Sequence, residues 1–89
     1  MITVVWNIIE SDNSVVTTKE NLKFPIDVEK TWKGTKIRGH DIAEFIANDV
    51  WADEDGLVIK KLRIETPEEY AGTYEVVADF EPTFTAKKV

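Results

Sequence analysis

The stretch Asp41-Ile42-Ala43-Glu44-Phe45-Ile46-Ala47-Asn48-Asp49-Val50-Trp51 decides how the rest of this chain is read. Asp41 is a residue type that caps free N–H groups, and Glu44 three positions later completes a capping-box pattern. Ile42, Phe45, Ile46 and Val50 recur at i, i+3, i+4 and i+8, so they form one apolar arc. The spacing predicts a helix from Asp41 to about Trp51 that packs on a sheet.

Working outward, the flanking segments carry the period of two that marks strands. Ile2 to Glu10 has two largely apolar faces (Ile2, Val4, Trp6, Ile8 against Thr3, Val5, Asn7, Ile9), as an interior strand covered on both sides would have. Ser11-Asp12-Asn13-Ser14 is a turn, and Val15 to Ile26 supplies the hairpin partner until Pro25 denies the ladder a donor. Asp27 to Gly39 reads as a loop with local turns.

On the other side of the helix, Asp53-Glu54-Asp55-Gly56 is an exit loop, and Leu57 to Glu65 is a strand whose change of phase implies a bulge near Lys60. Thr66 to Gly72 reads as one helical turn, with Thr66 as cap, Pro67 at its first position and Glu69 closing the box. Thr73 to Glu81 alternates cleanly, with Tyr74, Val76, Ala78 and Phe80 inward, and Pro82 makes it an edge or ends it. Phe84 and Ala86 continue that phase before a basic tail, Lys87-Lys88. The expected fold is α+β, in the order β-β-α-β-β: a four-stranded, mostly antiparallel sheet with one helix on one face, in two layers.

Residues 1–89 are one domain's worth of chain, with no linker, repeat or low-complexity tract. The absence of Cys excludes disulfides, thiolate metal sites and Cys nucleophiles. The apolar opening Met1 to Ile9 lacks a basic leader and runs into polar residues, so it reads as a strand rather than a signal peptide. No apolar run approaches the roughly 20 residues that span a bilayer. A cytoplasmic location and no membrane contact are the resulting expectations.

The net charge of -6 is unevenly distributed. Residues 1–40 net +1 and residues 41–89 net -7, which disfavours direct nucleic-acid binding and favours a basic partner. Asp53, Glu54 and Asp55 follow a helix C-terminus, where the dipole opposes anions by about 0.3–1 kcal/mol each, so helix stability does not account for them. The EF-hand spacing fails around Gly56, because it would put Trp51 and Leu62 at ligand positions. No metal or cofactor site is expected.

His40, the lone histidine, precedes Asp41; it serves either as a general base or, with more weight, as a staple against Phe45. Ser11 and Ser14 lie in a turn without a glycine elbow, and no nucleophile, base and orienter set assembles. Asp49 falls in the apolar arc, where it either pairs with Arg38 or Arg63 or turns out to water. Lys33 to Gly39 is basic and Gly-bracketed but lacks any phosphate-loop spacing.

These readings lead to a small acidic non-enzymatic protein-binding module, an inhibitor or modulator that docks an acidic face on a basic, nucleic-acid-binding protein surface. Its partner-binding residues would be Trp51, Asp53, Glu54, Asp55, Glu68, Glu69, Glu75 and Asp79. Such a chain would be a monomer or a weak homodimer. Two alternatives are a structural subunit that associates through an edge strand such as Thr73 to Glu81, and a small enzyme that uses His40 with Asp41 or Asp49.

Overall fold

The structure is a computed structural model that describes residues 2–11, 19–33, 36–53, 58–80 and 83–89, with side chains described at all of these except 19, 20, 79 and 80. One antiparallel sheet contains β1 (Ile2–Ser11), β2 (Lys19–Ile26), β3 (Ile59–Thr66), β4 (Gly72–Phe80) and β5 (Thr83–Lys88), in the order β2-β1-β3-β4-β5. A short helix α1 (Val28–Trp32) and the main helix α2 (Gly39–Asp53) connect β2 to β3, and a three-residue 3-10 turn (Glu68–Tyr70) connects β3 to β4. The fold is therefore α+β with one sheet and one main helix, as the periodicities imply.

The sheet has five strands, not four. Phe84 and Ala86 do not merely continue the phase of the preceding strand: together with Lys87 and Lys88 they belong to a separate strand, β5, in which Phe84 and Ala86 are buried and pair with Ala78 and Val76 of β4. Phe80 pairs with Thr83, so β5 runs antiparallel beside β4. As a result β4 is interior, and β2 and β5 are the edges.

β1 is interior as expected, paired with both β2 and β3, but only one of its faces is covered. Val4, Trp6 and Ile8 are buried in the core, whereas Ile9 on the other side is 40% exposed. The expected bulge at Lys60 is present: Glu10 pairs with Lys61 and Ser11 with Ile59, which leaves Lys60 as the extra residue of β3.

α1 occupies part of the segment expected to be a loop. Asp27 caps it by accepting a hydrogen bond from the Lys30 N–H at 3.1 Å, and Lys33 in the left-handed region ends it. Only five residues long, α1 has too few turns to show a helical period.

α2 begins at Gly39, two residues before the expected cap, and ends at Asp53 rather than Trp51. Asp41 lies inside the first turn and accepts from the backbone N–H of Arg38 at 2.9 Å, which is the reach-back half of a capping box. The start at Gly39 is sterically set: a Cβ there would overlap the Tyr74 hydroxyl, which donates to the Tyr70 carbonyl at 2.8 Å. The 3-10 turn also differs from its expected form, since Pro67 rather than Thr66 precedes it and no side chain caps it.

The core lies between α2 and the sheet. Ile42, Ala43, Ile46 and Ala47 of α2 are fully buried, together with Ile59, Leu62 and Ile64 of β3. α2 packs mainly over β5, with further contacts to β4 and β3. Phe45, from the edge of the predicted arc, is half-buried and packs its ring against Phe24 and Trp32 at centroid distances of 5.8 and 5.4 Å.

Candidate functional site

α2 is acidic along its whole length, with Asp53 exposed and Asp41, Glu44 and Asp49 half-buried. This helix carries Asp41, Glu44, Asp49 and Asp53 and no Lys or Arg. At about 1.5 Å rise per residue these carboxylates are spread over about 18 Å of the helix, Asp41 and Glu44 in its first half and Asp49 and Asp53 in its second. No basic residue occupies the last turn to offset the helix dipole.

Asp49 lies one turn before Asp53. Its carboxyl is pushed above the ordinary value, first by burial, then by the Asp53 charge and a hydrogen bond with the Asp53 side chain. Neither expected arginine pairs with it: Arg63 binds Glu65 at 3.0 Å, on the opposite face of the sheet. Asp49 is therefore held next to a like charge.

The first half of α2 shapes a small pocket of about 230 Å³, lined by Trp32, Asp41, Glu44, Phe45, Asn48 and Phe84. Glu44 does not close a capping box; its Oε2 accepts the backbone N–H of Ala86 in β5 at 2.9 Å. This contact covers an edge-strand donor that would otherwise be open to pairing with another chain. β2, the other edge, carries Lys23 and Pro25, two residue types that discourage strand addition.

The described residues among those expected to bind a partner fall in three separate places. Asp53 is exposed at the C-terminal end of α2, and Glu54 and Asp55 lie outside the described residues. Glu68 and Glu69 are exposed on the 3-10 turn, which adjoins the Gly39 end of α2, a helix length away from Asp53. Glu75 faces the open side of the sheet, directly opposite Lys61 on one strand and Lys87 on the other. Asp79 belongs to β4, but its side chain lies outside the described set. Trp51 is half-buried against the core, with its indole N–H buried and lacking a partner among the described residues.

His40 Nε2 lies 3.3 Å from Asp41 Oδ1, with its side chain 40% exposed, and Asp49 sits more than two turns further along the helix. A second hollow, of about 470 Å³, opens where β3 and β4 part beyond the Lys61–Glu75 pair. Glu10 and Glu75 there face Lys60 and Lys61, so the lining has no net charge to select a ligand.

Sequence reading missed the polar network on the open face. Asn7, 9% exposed, donates from Nδ2 to Glu65 Oε1 at 3.0 Å and accepts the backbone N–H of Asn21. Asn21 has a φ of 56° at the bulge of β2, a conformation that Asn tolerates better than most residues. A polar residue in an otherwise apolar strand was the available signal.

Comparison of the chain with known protein families, curated proteins and solved structures returned no match. Among the described residues, no helix is long and apolar enough to cross a membrane.

Proposed function

We propose that this chain is a small non-enzymatic protein-binding module that docks the carboxylates of α2 on a basic protein surface, as an inhibitor or modulator of a nucleic-acid-binding protein would. The observation that carries this reading is the presence of Asp41, Glu44, Asp49 and Asp53 on one helix without a single Lys or Arg. Carboxylates in the last turn oppose the helix dipole, and Asp49 beside Asp53 adds like-charge repulsion. A surface that is locally unfavourable in the free protein becomes favourable when a cationic partner covers it. Relative to the expected patch, the docking surface moves onto α2, with Asp53 retained and Glu75 left to its lysine neighbours.

The test is a tagged pull-down of the whole chain from source-cell lysate, washed at low salt and at about 0.5 M salt, where screening shortens electrostatic reach to a few Å. A specific partner released by salt, and not captured by the combined Asp41→Asn, Asp49→Asn, Asp53→Asn variant, is the expected result. A partner held equally in both washes and by the variant would overturn the reading.

A further inference from the structure

We propose that the pocket between α1, α2 and β5 is a socket for an arginine side chain of the partner; the inference rests on the docking reading above and names the chemistry of its contact. Its volume, about 230 Å³, falls below the roughly 300–1,000 Å³ of pockets that hold drug-sized ligands and suits one side chain. Three of its lining groups are aromatic rings, Trp32, Phe45 and Phe84. Phe45 is held between Phe24 and Trp32, so this wall is in place before anything binds.

The two carboxylates are fixed as well. Asp41 is held by the Arg38 N–H and Glu44 by the Ala86 N–H, each at 2.9 Å. Backbone donors orient a carboxylate without cancelling its charge. Among the described residues no Lys or Arg side chain forms an ion pair with either one, and the ionic neighbour of Asp41 is His40. The pocket thus combines oriented negative charge with aromatic walls.

That combination selects an organic cation over a metal ion, because a hard cation needs six or more oxygens and aromatic rings supply none. Between the two cationic side chains it selects arginine. A guanidinium is planar, so it stacks on ring faces while its fork of donors meets carboxylates, and it sheds water more readily than an ammonium. The side-chain carbonyl of Asn48 offers a further acceptor on the lining.

The experiment titrates N-acetyl-L-arginine amide into the ¹⁵N-labelled full chain at low salt, with N-acetyl-L-citrulline amide as the neutral isostere. The expected result is saturable shifts concentrated on the Trp32 indole N–H, the Asn48 side-chain amide and the Ala86 backbone N–H, with none from citrulline. Glu44→Gln retains an acceptor for Ala86, and hence the fold, yet should weaken the titration about tenfold, the loss of one charge-assisted contact. Trp32→Leu should weaken it through the wall instead.

Equal response to citrulline, shifts spread over Asp49, Asp53 and Glu68, or an unchanged Glu44→Gln titration would each overturn the socket. The two proposals fail separately. A salt-sensitive partner captured unchanged by Glu44→Gln leaves docking intact without the socket, whereas saturable arginine binding without a salt-sensitive partner leaves the socket without the docking.

Discussion

On the open face of the sheet, Glu75 sits directly across from Lys61 and Lys87, and Asn7 and Arg63 both donate to Glu65. On α2, four carboxylates lie on one helix without a Lys or Arg, two of them one turn apart. Cross-strand partners about 5 Å apart gain from opposite charge, so the open face has the arrangement that stability favours. The α2 carboxylates have the arrangement that stability disfavours. The contrast locates the surface where charge is left over after folding, and it is on the helix.

The largest effect separates the covered face from the open one. Ile46→Ala, which empties a fully buried site, should cost about 2–5 kcal/mol in urea denaturation. Val77→Ala, at a position 56% exposed, should stay within about 0.5 kcal/mol. Comparable losses at both sites would mean that something covers the open face.

A middle-sized effect tests whether the open face is held by its polar network. Asn7→Ala leaves the Asn21 N–H and Glu65 each short of a partner and should cost about 1–3 kcal/mol. A cost near zero in thermal melts would show that the β2 bulge stands without Asn7.

The smallest effect sharpens the helix side. Asp53→Asn should stabilise the chain by about 0.3–1 kcal/mol, because it removes an anion from the last turn of α2. The pH dependence follows from Asp49, whose folded carboxyl lies above its ordinary 3.8. Its proton is held more tightly in the folded chain, so its contribution is fully present below 3.8 and is lost as pH rises through the raised value. Asp53→Asn should narrow that window without closing it, since burial, the leading cause, persists. Urea melts from about pH 3 to pH 7 that superimpose for the parent and the variant would break this account.

The two faces also differ in how far they could be read from sequence. Alternation marked β1 and β4, the apolar arc marked α2, and the phase change after Ile59 marked the bulge at Lys60. β5 was masked by its brevity and its Lys87-Lys88 end, and the edge role given to Thr73–Glu81 passed to β5 and β2. Glu44 was assigned to its own helix because a capping box spans three residues, whereas its actual partner, Ala86, lies 42 residues away.

By itself the sequence determined the α+β class, the antiparallel strands, the burial of Ile42 and Ile46 and the acidity of the second half, because each is written in local period or composition. Only the tertiary structure decided which carboxylates face lysines across the sheet: strand order set Glu75 between Lys61 and Lys87. The pocket between Trp32, Glu44 and Phe84 depends likewise on three elements that meet in space. Periodicity records which face of an element is buried, but not what that element is buried against.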